Sequence, residues 1–74
     1  MEEYEPYIDL AIAIIVQAAD DYRKALWQLK RNPKYYPALT KKSEIERFFY
    51  SAWFGVLTDA DPDYILTRLR RECV

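Results

Sequence analysis

Ile8, Ile12, Ile15, Ala19, Tyr22, Leu26 and Leu29 recur at alternating spacings of four and three, the seam of a helix that packs against other helices. Pro6 is compatible with a first helical turn, where its missing amide donor would have no partner. Asn32-Pro33 ends the pattern, because proline disfavours helical geometry in the residue before it. The spacing therefore predicts a long helix over about residues 6–31.

The apolar surface is wider than one seam. Between Ile8 and Ala19 only Asp9 and Gln17 are polar, and Leu10, Ala11, Ile14 and Ala18 extend the stripe sideways. A helix that is apolar nearly all round must be covered nearly all round. The remaining chain is short and much of it is charged. The expectation is a helical homo-oligomer, a dimer or larger, with Leu10, Ile14, Ala18 and Tyr22 at the subunit interface.

Asn32-Pro33-Lys34-Tyr35-Tyr36-Pro37 reads as an extended linker. The next helix, about 38–52, has two possible starts. Pro37 can open it, or Ser43 can cap it with Glu46 completing a capping box. Ile45, Phe48, Phe49 and Ala52 share one face, and Ser51 or Gly55 loosens the helix. Trp53-Phe54-Gly55-Val56-Leu57 reads as a short buried turn over about 53–58. Asp61-Pro62 is a start signal, aspartate as cap and proline at the first helical position. It opens a last helix over about 62–72 that buries Ile65, Leu66 and Leu69. No stretch alternates with period two long enough for a strand. The expected fold class is all-α, one domain over residues 1–74: a long N-terminal helix with two or three shorter ones.

Composition narrows the chemistry. The chain has 74 residues, 51% apolar and 16% aromatic, so it can build a core. It contains no histidine, one glycine and one cysteine. A Gly-rich phosphate loop cannot be made from one glycine. The carboxylate neighbours Asp20/Asp21 and Glu44/Glu46 diverge on a helix, and no nucleophile pairs with them. No enzymatic activity and no cofactor is expected. Asp59, Asp61 and Asp63 mimic the start of a calcium loop, but Tyr64 and Arg70 stand where glycine and glutamate are needed, so no metal is expected. The lone Cys73 and the acidic start fit a reducing compartment, read as the cytoplasm of a host bacterial cell. The apolar run Leu10–Val16 is too short to cross a bilayer.

A net charge of −1 conceals a dipolar chain. Glu2, Glu3, Glu5, Asp9, Asp20 and Asp21 precede any basic residue; most of the cations follow between Arg23 and Arg47. Within that stretch Arg23, Lys30, Arg31, Lys34 and Arg47 interleave with Tyr35 and Tyr36, and Arg68, Arg70 and Arg71 close the last helix. Forked arginine hydrogen bonds and ring stacking suit phosphates and bases, so these residues are the candidate ligand contacts. The plainer reading is that the tyrosines cover core, the cations keep an apolar protein in solution, and the terminal arginines form ion pairs.

Ile45-Glu46-Arg47-Phe48-Phe49-Tyr50-Ser51, followed by Trp53-Phe54, Leu57-Thr58-Asp59, Asp61-Pro62-Asp63-Tyr64-Ile65-Leu66 and Leu69-Arg70, resembles a family of very small phage- and prophage-encoded proteins of Gram-positive bacteria, generally without an assigned function. The basic run Leu29-Lys30-Arg31-Asn32-Pro33 precedes the block, and the resemblance spans roughly residues 22–70. It implies a phage accessory protein that acts by binding. The leading expectation is antagonism of host defence, with a phosphorylated nucleotide signal sequestered in inter-subunit pockets. The alternatives are a nucleic-acid-binding or transcription accessory protein, which near-neutral charge weakens, and a protein–protein inhibitor of a host factor.

Overall fold

The structure, a computed structural model, describes the backbone of residues 6–73 and the side chains of residues 9–73. The acidic residues Glu2, Glu3 and Glu5 and the seam residue Ile8 lie outside the described side chains. Every regular element among the described residues is a helix: α1 (Pro6–Arg31), α2 (Tyr36–Phe49), α3 (Ala52–Leu57) and α4 (Pro62–Glu72).

α1 rises about 1.5 Å per residue over 26 residues. Asp9 in its first turn and Lys30 and Arg31 in its last complement the helix dipole. The reversal into α2 is tight. The Tyr35 amide donates to the Asn32 carbonyl at 3.0 Å, and the Lys34 amide reaches the Asn32 side-chain oxygen at 3.4 Å.

Of the two possible starts for α2, the proline start is the one formed. Pro37 sits in the first turn, and the Ala38 and Leu39 amides donate to the Tyr35 carbonyl at 3.2 and 3.1 Å. Ser43 lies in the helix body, and Glu46 turns toward neighbouring helices. α2 ends at Phe49, earlier than the apolar pattern implies, because Ser51 is extended (φ −80, ψ 159) and caps α3. Its hydroxyl donates to the Phe48 carbonyl at 2.7 Å and accepts from the Phe54 amide at 3.3 Å. Asp61 caps α4 through the Asp63 amide at 3.0 Å, with Pro62 at the first position.

α2 folds back antiparallel along α1, and α4 runs parallel to α1. Tyr50, just past α2, donates to Asp63 at the start of α4. At the other end, Glu72 accepts from Arg23 and Arg70 donates to Tyr22. Between the helices lies a core of Tyr22, Ile45, Phe49, Phe54, Leu66 and Leu69. Ile15, Ala18, Ala19, Leu26, Phe48 and Ile65 pack on its margin. Phe48, Phe49 and Phe54 meet at ring distances of 5.0–5.7 Å with tilted or edge-on planes, as the ring quadrupole favours.

One expectation about α1 is corrected. Tyr22, assigned to a subunit interface, is fully buried inside the single chain, where α2 and α4 close over it. Ile12, in the seam expected to pack against other helices, is 55% exposed in the single chain, because α2 and α4 cover a different sector of the helix. Ala18 is partly buried against this chain's own core, and Ile14 is half-buried. Leu10 and Val16 remain more than half exposed. The chain covers one side of its long helix and leaves apolar side chains on the rest.

Candidate functional site

A polar cluster centred on Glu46 joins three helices. Glu46 Oε2 accepts from Tyr22 at 2.6 Å, from Lys42 at 2.8 Å and from Arg70 at 3.3 Å, and Arg70 Nε also donates to the Tyr22 hydroxyl at 3.1 Å. Burial pushes the Tyr22 hydroxyl up to about 12, and its bond to Glu46 adds to this. Burial would also raise the Glu46 carboxyl, but the bonds from Lys42 and Tyr22 outweigh it and hold the group below its usual range. The carboxylate is fully compensated by its neighbours. This cluster ties helices together and offers no free group to a ligand.

Several sequence candidates are engaged in the same way. Arg23 bridges Asp20 at 2.8 Å and Glu72 at 2.7 Å. Arg70 belongs to the Glu46 cluster. Arg68 donates to the Tyr64 hydroxyl at 2.9 Å and stands 5.7 Å from its ring centre. Lys30 lies 5.0 Å from the Trp27 ring centre. Arg31, Lys34, Arg47 and Arg71 form no ion pair among the described residues and are exposed.

The tyrosines separate. Tyr36, 75% exposed, lies with Arg47 on the outer face of α2, in a shallow depression shared with Leu39, Thr40, Ser43 and Glu44. Tyr35 turns instead into the groove between α1 and α2. The candidate ligand residues therefore divide among the α1–α2 groove, the back of α2 and the α4 side. A helix reversal distributes neighbours in sequence to different faces.

The α1–α2 groove is what sequence reading missed. Lys24, Gln28 and Ala25 from α1 face Tyr35, Pro37 and Lys41 around a space of about 260 Å³, with Asp21 at one end. A second hollow of about 310 Å³ shares Lys24 and Gln28 and adds Trp27 and Arg31. Lys24 and Lys41 thus meet Tyr35 in the groove, while Trp27 and Arg31 line the adjoining hollow on α1 alone; none of these cations has a carboxylate partner among the described residues. The only available signal was the helix period, which puts Lys24, Gln28 and Arg31 on one side of α1.

Further along the same interhelical line the surface turns apolar. Ile14, Ala18, Ile45, Phe48 and Trp53 floor a groove of about 250 Å³, rimmed by Gln17, Asp21, Lys41 and Glu44. Trp53 is 54% exposed there and Val56 is exposed too, which corrects the expectation of a buried turn over 53–58: within α3 it is Phe54 that enters the core.

The calcium-like aspartates have other employment, Asp61 as a cap and Asp63 as acceptor for Tyr50. No cluster of three potential metal ligands occurs among the described residues. No described helix is long and apolar enough to cross a membrane. No family model, curated protein or solved structure matches this chain.

Proposed function

We propose that this chain acts by binding, as a self-associating helical accessory protein that holds a phosphorylated nucleotide in the groove between α1 and α2. The observation that carries this reading is the placing of Lys24 and Lys41, without carboxylate partners, beside Tyr35 around one hollow between the two helices. Ammonium groups attract phosphate, and the Tyr35 ring offers a face on which a base stacks. Arg23, Arg68 and Arg70, bound within the chain, are structural in this reading. Its setting, by the resemblance of residues 22–70 to small phage- and prophage-encoded proteins, is the capture of a host defence signal. Self-association rests on Ile12 and Val16, each more than half exposed on the first half of α1.

Calorimetry in low salt with cyclic dinucleotides and ADP-ribose tests the ligand. Binding that falls at least about tenfold in Lys24→Ala/Lys41→Ala, the order expected for losing charge-assisted hydrogen bonds, supports the reading. No heat with any of these nucleotides overturns it. A mobility shift of DNA or RNA that collapses steeply with salt would replace it with the nucleic-acid alternative.

The apolar groove of Ile14, Ala18, Phe48 and Trp53 favours a second reading, inhibition of a host protein that inserts an apolar segment there. Trp53→Ala abolishes such an interaction and leaves nucleotide binding intact.

A further inference from the structure

We infer that α1 pairs with α1 of a second copy of this chain in antiparallel orientation, through the outer face that carries Ile12, Val16 and Trp27. This rests on the self-association proposed above and specifies its face and direction. The three side chains are 55%, 51% and 51% exposed. At 3.6 residues per turn they fall within a sector of about 60°, turned away from the buried Tyr22 and Ala25. The face differs from Leu10, Ile14, Ala18 and Tyr22, which the apolar pattern alone assigns to subunit contact.

Charge sets the direction. The N-terminal end of α1 carries Asp9, with Glu2, Glu3 and Glu5 before it in sequence and no base; the last part carries Arg23, Lys24, Lys30 and Arg31; Asp20 and Asp21 lie near the midpoint. Parallel pairing would set base beside base, whereas antiparallel pairing sets Lys30 and Arg31 toward the acidic end of the other helix and opposes the helix dipoles. The same patch then serves both copies about a two-fold axis. Trp27, already flanked by Lys30, comes to lie along the apolar first half of the other helix. A surface whose two ends carry opposite charge is complementary to itself once reversed, and that identifies the occupant as a second copy. The groove floored by Phe48 and Trp53 has mixed charges on its rim without lengthwise order, so it names no occupant.

Sedimentation of the full chain over a wide concentration range is the first measurement. The wild type forms a dimer, and Val16→Glu and Trp27→Ala each weaken it by at least about tenfold, as expected for central apolar contacts. Leu10→Glu, off this face, leaves it unchanged. Val16, Leu10 and Trp27 are all more than half exposed, so these variants keep the monomer core. The second measurement is the spin-label separation at Gln28→Cys in a Cys73→Ser chain. Antiparallel helices paired about their midpoints hold the labels about 28 Å apart along the axis, and parallel helices hold them about 10 Å apart. A chain monomeric at every concentration overturns both the pairing and the self-association reading. A dimer indifferent to Val16→Glu and Trp27→Ala, or with labels near the shorter distance, overturns the antiparallel pairing alone.

Discussion

Tyr22→Phe removes one oxygen from the centre of the molecule and leaves the ring in place, so it probes the polar link between α1, α2 and α4 without opening a cavity. The hydroxyl donates to Glu46 at 2.6 Å and accepts from Arg70 at 3.1 Å. In the variant Glu46 keeps Lys42 at 2.8 Å and Arg70 at 3.3 Å, so no charge is stranded. A hydrogen bond to a charged group contributes about 1.5–3 kcal/mol net, and the retained partners place this one near the lower figure. For a domain of this size a loss of about 1.5 kcal/mol lowers Tm by about 6–12 °C at neutral pH.

The pH dependence is the sharper half of the test. Burial, then the bond to Glu46, raises the folded Tyr22 pKa from 10.0 to about 12. A raised folded pKa stabilises the protein fully below the unfolded value, and that contribution is lost as pH climbs from 10 through 12. Two units correspond to about 2.7 kcal/mol, which solvent screening at the part-buried hydroxyl reduces to about 1.5 kcal/mol. The wild type should therefore exceed Tyr22→Phe in stability at pH 7 to 9 and converge with it as pH approaches 12. Urea unfolding followed by circular dichroism, at steps across that interval, measures the gap. A gap that stays constant, or no gap at neutral pH, refutes the role assigned to the hydroxyl.

Leu66 is fully buried, and Leu66→Ala should cost about 2–5 kcal/mol, enough to unfold much of a domain this small near body temperature, as thermal melts would register. Asp61→Ala removes the α4 cap and should cost about 0.5–2 kcal/mol, whereas Asp61→Asn keeps most of the stability; urea midpoints separate the two. Glu46 has a lowered folded pKa, so its contribution is present above the ordinary carboxylate range and is lost as pH falls through the folded value. Glu46→Gln is accordingly less stable than wild type at neutral pH, and acid titration of both should bring their melting temperatures together.

The candidate site was only partly legible in the chain. The cationic and aromatic residue types were visible, but their grouping was not. Tyr35 and Tyr36 are neighbours in sequence, yet one faces the α1–α2 groove and the other the back of α2. Lys24 and Lys41 are distant in sequence and line one hollow. Arg23 and Arg70 looked like free ligand contacts and are consumed by Glu72, Asp20 and Glu46. Ion-pair partners depend on which helices stand side by side, and no local pattern records that.

The sequence by itself determined the helical character of the chain, the end of α1 and the start of α4, while the start of α2 stayed open between Pro37 and Ser43 and its end came earlier than the apolar pattern implies. Proline, capping aspartate and helix-period apolar spacing act within a few residues, so Pro6, Asn32-Pro33 and Asp61-Pro62 can be read without knowing the fold. Tertiary structure alone decided which side of α1 is covered. Its apolar circumference left several sectors open, and the packing of Phe49, Phe54, Leu66 and Leu69 around Tyr22 chose one of them. That choice buried Tyr22 and exposed Ile12 and Val16. It also turned Glu46 from a potential capping residue into the shared acceptor of three helices, because a carboxylate follows whichever donors the packing brings within reach.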